Sequence, residues 1–217
     1  MSEHEFEPVR GLPEPLPEGE RMLWQGSPDF GALARRAFHV RKVALYFGLL
    51  MAWRFAADLL DGQSAAAAAG SALGLVPLAL AGTGLLAVLA WFTARETVFT
   101  ITDRRVVLRF GVALTMAVNV PFKVIESAAL RLHPDGTGDL PLTLSSEQRI
   151  GWLVNWPYVR LGRRTQPMLR AVPDAERVAR LLSEALARHS GGTATAVTTG
   201  EGPAGARGTR PQVAAPA

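Results

Sequence analysis

The sequence predicts a membrane α-helical hairpin joined to a mainly-β barrel that is capped by a C-terminal helix. Two observations predict the hairpin. Hydrophobic residues make up 48% of the 217, and they are concentrated in one part of the chain. There they form two runs, each long enough to cross about 30 Å of hydrocarbon as a helix. After residue 95 the pattern alternates between apolar and polar residues, which is typical of half-buried strands and predicts the barrel.

The chain begins with an acidic segment, residues 1–19, which we expect to be flexible. Six glutamates lie within the first 20 residues, the opposite of the basic start of a cleavable signal peptide. Residues 20–42 follow as a first strand around Trp24 and a basic juxtamembrane stretch. The basic side chains of this stretch are candidates for contact with anionic lipid headgroups; they are Arg35, Arg36, Arg41 and Lys42.

The first apolar run, residues 43–60, is interrupted by two charges, Arg54 and Asp58. They are four residues apart, so on a helix they share a face and can pair. We interpret them as a candidate intramembrane pair near one end of the helix, where its cost is tolerated. The alternative is a functional pair, since ionisable groups inside a bilayer commonly mark functional sites.

The second apolar run, residues 70–93, contains no charged residue. Pro77 predicts a kink, which a membrane helix can absorb. Trp91 and Phe92 are expected in an aromatic belt at the far end, and a short external loop, residues 61–69, precedes the run. Small residues let helices approach closely, within the hairpin or against a second copy; the candidates for helix packing are Gly70, Gly74, Gly82 and Gly84.

The distribution of basic residues predicts the orientation of the hairpin. Lys and Arg precede the first run and follow the second, whereas the connection between the runs has neither. By the positive-inside rule, both termini are expected in the cytoplasm. The alternative is a soluble protein with two buried core helices.

Residues 95–189 are expected to form the cytoplasmic β domain. The strand candidates, separated by turn signals such as 135–139, are 97–102, 105–110, 115–120, 124–132, 140–145, 150–154 and 158–161. If the strand around Trp24 joins them, the two helices are an insertion near the start of the fold. Pro173 and Asp174 open an amphipathic helix, residues 173–189, that should cap the barrel. Residues 190–217 are expected to be a disordered tail.

An enzyme should leave a trace in the sequence, and the usual patterns are absent. The chain has no cysteine, which excludes disulfides, thiolate zinc sites and cysteine nucleophiles. It has no nucleophile elbow or P-loop, and its four histidines are isolated: His4, His39, His133 and His189. We therefore expect no enzyme activity, no metal site and no cofactor.

One segment carries arginine and aromatic residues of the kind favoured at protein interfaces. The candidate partner-binding residues are Trp152, Trp156, Tyr158, Arg160, Arg163 and Arg164. The alternative is a strand edge followed by a solvated basic loop. Nucleic acid is a poor third interpretation, because no recognition motif accompanies the cluster.

Several motifs resemble those of bacterial membrane-tethered pleckstrin-homology (PH) domains: Leu23–Gly26, Phe99–Arg105 and Val120–Ile125. Three further stretches are similar to the PuhB family of photosynthetic complex (reaction-centre) assembly proteins of purple bacteria: Gly136–Leu142, Trp156–Pro157 and Gln166–Ala175. The resemblance covers roughly residues 10–189. Tyr158 stands where that family often has a histidine, which weakens any role for an imidazole there.

The resemblance implies a PH-like barrel and a non-enzymatic factor. Such a factor would help to assemble the photosynthetic reaction centre, and through it the core light-harvesting complex, by contacts with reaction-centre subunits. Its place would be the bacterial cytoplasmic (inner) or intracytoplasmic membrane. The alternative is a membrane-tethered PH-like module that binds a lipid or bacteriochlorophyll, for which His39 is a candidate magnesium ligand. A homo-oligomer is compatible with either function.

Overall fold

In the computed structural model of the chain, the described residues are 11–12, 15–111, 115–145, 156–160, 166–189 and 198–199. The strands among them are β1 (Met22–Gly26), β2 (Val98–Thr102), β3 (Arg105–Phe110), β4 (Met116–Pro121), β5 (Ile125–Leu132), β6 (Gly138–Leu144), β7 (Val159–Arg160), β8 (Gln166–Val172) and β9 (Thr198–Thr199). The helices among them are α1 (Phe30–Arg36), α2 (Val40–Leu60), α3 (Ala65–Leu73), α4 (Val76–Glu96) and α5 (Ala175–His189), with a 3-10 turn at Phe122–Val124.

The first sheet joins β1 to strands that follow it only after a long insertion. Its order is β1-β2-β3-β4, and every neighbouring pair is antiparallel. Gln25 of β1 lies opposite Thr100 of β2, and its side-chain amide donates a 3.0 Å hydrogen bond to the Thr100 hydroxyl. Residues 27–97, which contain the first four helices, are therefore inserted between two paired strands. The prediction that the helices follow the first strand of the β domain is confirmed.

The second sheet has the order β7-β8-β6-β5-β9 and packs with α5 around a shared core. Phe99 and Leu108 from the first sheet, Leu140 and Leu169 from the second, and Leu182 from α5 are each 1% exposed or less. Alternating side chains of strands point to opposite faces, so each sheet supplies one apolar face to this core. The predicted β domain with a C-terminal helical cap is confirmed. Three elements, α1, β8 and β9, were not among the predicted ones.

The inserted helices α2, α3 and α4 form an apolar hairpin. The helices Val40–Leu60 and Ala65–Glu96 are long and apolar enough to cross a membrane, and only 6% of the apolar window of each is buried within the protein. A core helix of a soluble protein would be mostly buried by its neighbours. At 1.5 Å per residue, α2 is about 30 Å long, which matches the hydrocarbon thickness of a bilayer.

The predicted external loop, residues 61–69, is wrong after residue 64. The hydroxyl of Ser64 accepts a hydrogen bond from the Ala67 N–H and caps α3, and the alanines that follow have the highest helix propensity. The helix is interrupted at Gly74 and Leu75, and Pro77 lies in the first turn of α4. A proline is readily accepted there because the first N–H groups of a helix have no intrahelical partner. Gly74 and Leu75 keep right-handed helical backbone angles, so the interruption between α3 and α4 lies where the kink at Pro77 is predicted.

The predicted flexible segment, residues 1–19, is wrong around Leu12, which is 1% exposed. Beside it, Gly11 has a φ of +91° and lies so close to β2 that an added Cβ would stand 2.5 Å from the Val98 side chain. Farther along, both Glu20 carboxylate oxygens accept hydrogen bonds from Arg105 of β3, at 2.7 and 3.0 Å. The start of the described chain is therefore packed against the first sheet.

Two further predictions fall largely outside the described residues. The strand predicted at 150–154 lies outside them. Most of the predicted disordered tail, residues 190–217, lies outside them too, but the prediction is wrong at Thr198 and Thr199. These two residues pair in parallel with Ala129 and Leu130 of β5.

Candidate functional site

The hairpin base is the region where α1, the start of α2 and the end of α4 meet the β domain. Helix α1 is positioned by Asp29, whose carboxylate accepts a 2.7 Å hydrogen bond from the Ala32 N–H and whose own N–H donates to the Ala171 carbonyl at 2.8 Å. Leu33 is fully buried. Asp29 is a typical helix N-cap, so α1 had a local signal in the sequence. The basic residues at the end of α1 favoured a juxtamembrane stretch over a helix, so the N-cap signal of Asp29 was not used to predict α1.

The core of the β domain continues into the hairpin base. Ala90 and Ala94 of α4 and Phe38, which precedes α2, belong to the same buried cluster as Phe99 and Tyr158. Close-packed interiors do not deform smoothly. The hairpin is therefore held in one orientation relative to the β domain.

Arg35 and Arg36, predicted to contact headgroups, form ion pairs within the protein. The guanidinium nitrogens of both residues lie within ion-pair distance of one Asp135 carboxylate oxygen, at 2.8 and 2.6 Å. Arg36 also donates to the hydroxyl of Thr137 at 2.6 Å. The two arginines clamp the end of α1 to the turn between β5 and β6, and headgroup contact stays a prediction for them. Arg41 and Lys42 are exposed, and within the described part of the chain neither has an ion-pair partner.

We expect Asp135→Asn to destabilise the protein in a pH-dependent way. The hydrogen bond from Arg36, and next that from Thr137, hold the pKa of Asp135 well below its usual range. A lowered folded-state pKa stabilises the fold above the unfolded-state pKa of about 4, and this stabilisation is lost as pH falls through the folded value. In chemical unfolding in micelles, wild type and variant should differ by a constant amount at neutral pH, and the difference should shrink progressively as the pH falls below about 4 towards the folded-state pKa.

Glu126→Gln is the matched control for that experiment, since Glu126 is an exposed acid on β5. Its effect on stability should be small at every pH. If the two variants behave alike, the Arg35–Arg36–Asp135 clamp does not contribute to stability.

A buried acid lies beneath the clamp. Asp139 accepts a 2.9 Å hydrogen bond from the N–H of Ala171, which has a φ of +54°, and its other oxygen lies 3.3 Å from Nε2 of His133. Nearby, Arg170 donates to the Pro157 carbonyl at 3.1 Å. Burial lowers the pKa of Arg170, and the Asp139 carboxylate opposes this effect. By holding the backbone of Ala171 in this conformation, the Asp139 carboxylate positions β8 beside α1.

Among the described residues, no group of three His, Cys, Asp or Glu could hold a metal ion.

The candidate intramembrane pair forms as predicted. A guanidinium nitrogen of Arg54 lies 3.0 Å from a carboxylate oxygen of Asp58, and Asp58 is 2% exposed. The Ser71 hydroxyl of α3 donates a hydrogen bond to the other oxygen of the same carboxylate. The pair is therefore part of a three-residue cluster that ties the end of α2 to α3.

The four candidate packing glycines lie in different surroundings. A Cβ at Gly82 would meet Phe47 of α2 at 3.5 Å, so this glycine packs within the hairpin. A Cβ at Gly74 would meet only backbone oxygens of its own helix, and at Gly70 or Gly84 it would meet nothing within 4 Å. Contact with a second copy stays a prediction for these three glycines.

The predicted arginine–aromatic cluster is divided by the fold. Tyr158 is 1% exposed and packs between Phe99 and Phe110, with ring centroids 5.4 and 5.3 Å away. Burial raises the pKa of its phenol, against smaller effects of Thr97 and Arg170. The prediction of a surface role is wrong for Tyr158, because its ring fills the barrel. Trp156 is 43% exposed and lies at the hairpin base.

The other members of that cluster remain predictions. Trp152, Arg163 and Arg164 lie outside the described residues. Arg160 is in β7, where it pairs with Gln166, and its side chain is outside the described part of the structure.

A groove of about 370 Å³ lies at the opposite end of the β domain from the hairpin base. It is lined by Leu23, Asp103, Arg104, Ala185, Arg188 and His189. Several of these groups are already engaged: the Asp103 carboxylate accepts a hydrogen bond from the Arg21 N–H, and Arg188 donates to a carbonyl of its own helix. The arrangement offers no nucleophile with an adjacent base.

Comparisons with known proteins agree with this architecture. Residues 41–186, from the hairpin through most of α5, match the bacterial PH domain family. A protein of Rhodobacter capsulatus, described as an uncharacterized 23.7 kDa protein in the puhA 5' region, is 42% identical over 190 residues, which are 85% of this chain and 89% of that protein. No solved structure gives a significant match. The chain belongs to the bacterial PH domain family.

Proposed function

We propose that this protein is a membrane-anchored, non-enzymatic assembly factor of the PuhB type for the photosynthetic reaction centre and its core light-harvesting complex. The observation that carries the proposal is the 42% identity, over nearly the full length of both chains, to the Rhodobacter capsulatus protein of the puhA 5' region. A homologue encoded in the puhA 5' region supports a role in the same process as the puhA product. The motifs at Gly136–Leu142 and Gln166–Ala175 are similar to those of the PuhB family, which supports the same function.

The topology of the fold supports a two-pass anchor. The insertion leaves the first sheet after Gly26 and returns at Val98, and Gly26 lies opposite Phe99 in the register of β1 and β2. The two ends of the insertion therefore lie next to each other, at the same end of the hairpin. With the basic residues at its base, the positive-inside rule favours a cytoplasmic β domain.

The anchor and the β domain would divide the work of assembly. In the bilayer, the exposed apolar faces of α2 and α4 are available to transmembrane helices of reaction-centre subunits. On the cytoplasmic side, the β domain would bind a protein surface in an orientation set by the hairpin base. Folds of this kind host many functions, and the described residues show no catalytic constellation that would compete with a binding role.

Deleting the gene in the source bacterium should lower reaction-centre accumulation while pigment synthesis continues. The measurement is the reaction-centre content of isolated membranes, with bacteriochlorophyll quantified in the same cells. Restoring the wild-type gene should restore accumulation, and restoring only the hairpin should not. Normal reaction-centre content in the deletion strain would contradict the proposal. Purified protein that carries stoichiometric pigment or lipid would favour the alternative of a ligand-binding module.

A further inference from the structure

Trp156 is a large apolar side chain of the β domain that the fold leaves 43% exposed. Its ring packs edge-on against Phe38, with the ring centroids 5.1 Å apart. Phe38 is itself buried and closely precedes Val40, where α2 begins. Trp156 therefore lies beside the residues that lead into α2, and much of its side chain remains exposed.

The same height on the other helix carries two more exposed aromatic residues. Phe47 of α2 faces Gly82 of α4, and the helices of a hairpin are antiparallel. Moving seven residues towards the base on each helix brings Val40, the first residue of α2, level with Leu89 of α4, so Trp91 and Phe92 lie within about one turn of the start of α2. Trp91 and Phe92 are 44% and 41% exposed. Three exposed aromatic side chains, Trp156, Trp91 and Phe92, thus lie near the base of the hairpin.

Cationic side chains lie at this level as well. Arg41 and Lys42 are exposed in the first turn of α2, and the Arg95 guanidinium lies 5.4 Å from the centroid of the Trp91 ring. Tryptophan concentrates where hydrocarbon meets headgroups, because its ring is apolar and its N–H is polar. Lys and Arg at the same depth are attracted to anionic phospholipids. The charge and the aromatic content of this level both match the interfacial layer of a bilayer.

We propose that Trp156 is a membrane-interface anchor of the β domain, with its ring seated in the headgroup layer of the bilayer that holds the hairpin. The β domain would then contact the membrane through its own side chain, in addition to the hairpin. This contact would fix the height and tilt of the domain over the membrane. The inference rests on insertion of the hairpin, which is part of the proposed function, and the experiment separates the two.

The test measures whether lipid reaches Trp156. Full-length protein is reconstituted in vesicles of phosphatidylcholine and phosphatidylglycerol, with and without lipid brominated at the top of the acyl chains. The chain has 5 tryptophans, so the contribution of Trp156 is the fluorescence difference between wild type and Trp156→Phe. We expect brominated lipid to quench most of this contribution and aqueous iodide to quench little of it.

Two matched variants serve as controls. Trp53 is 65% exposed on α2, so the contribution removed by Trp53→Phe should be quenched by brominated lipid if the hairpin is inserted. Trp24 lies in β1, and the contribution removed by Trp24→Phe should be insensitive to lipid. Trp156→Tyr provides a second conservative difference, should the Phe variant fail to fold.

The outcomes distinguish the two ideas. If lipid quenches Trp53 but iodide, and not lipid, quenches Trp156, the anchor is overturned and Trp156 belongs to a surface open to an aqueous partner. If lipid quenches neither tryptophan, the hairpin is not inserted, and the proposed function fails together with the anchor. If lipid quenches both, the anchor is supported.

Discussion

Asp58→Leu is expected to destabilise the apolar hairpin by about 3 kcal/mol, since removing the buried carboxylate of an ion pair leaves the Arg54 charge uncompensated on an apolar helix. Asp58 is 2% exposed, and its carboxylate pairs with the Arg54 guanidinium and accepts a hydrogen bond from the Ser71 hydroxyl. Its loss would leave a cation on an apolar helix and remove the hydrogen bond from Ser71 that joins α2 to α3. The measurement is the free energy of unfolding in detergent micelles, followed by the helical circular dichroism signal.

A double variant tests whether the charge itself is the cause. Arg54→Leu combined with Asp58→Leu removes both charges, and replacing a buried pair by apolar residues of similar volume is often neutral. We expect the double variant to recover most of the lost stability. Asp61→Asn, which removes an exposed acid at the end of α2, is the control and should have little effect. A double variant as unstable as Asp58→Leu alone would show that the pair is not the source of the effect.

Phe99→Ala is expected to lower the free energy of unfolding of the β domain by about 3–5 kcal/mol. Phe99 is completely buried in β2, with its ring edge-on to Tyr158. Truncation to alanine removes the buried apolar surface and leaves a cavity where the barrel, α1 and the base of α4 share their core. The loss should appear as a lower midpoint of chemical unfolding, followed by tryptophan fluorescence.

Phe30→Ala is the matched control for Phe99→Ala. Phe30 lies in the first turn of α1 and is 43% exposed, so its truncation removes less buried surface and should cost clearly less. Equal effects of the two variants would mean that the burial of Phe99 is not the source of its contribution to stability.

The features predicted correctly from the sequence depend on neighbours along the chain. The alternating residues of β2 and β3 predicted two strands, and the two apolar runs predicted the hairpin. Arg54 and Asp58 are one helical turn apart, so their pairing needs only the helix. The periodicity of α5 predicted its buried face. In each case the signal spans fewer than about 25 residues, which is the range over which helix and strand periods act.

Two of the features that were missed or wrong, the partner of Arg36 and the burial of Tyr158, depend on residues far apart in the sequence. Arg36 is 99 residues from its partner Asp135, and nothing near either residue marks the other. Tyr158 was predicted at a surface because its neighbours are basic and aromatic, but it fills the barrel beside Phe99 and Phe110. Ser64 and the alanines after it were interpreted as a loop, although the cap and the helix propensity were both present.

The sequence by itself determined that this chain has two helices long and apolar enough to cross a bilayer, and a β domain built from short alternating strands. Periodicity and hydrophobic length are local properties, and they survive without knowledge of the fold. The tertiary structure alone decided how the β domain sits on the hairpin. It packs α1 into a core shared with the β domain and pairs Arg35 and Arg36 with Asp135. It also leaves Trp156 exposed at the hairpin base. Those contacts form only when the paired strands β1 and β2 bring the two ends of the insertion together.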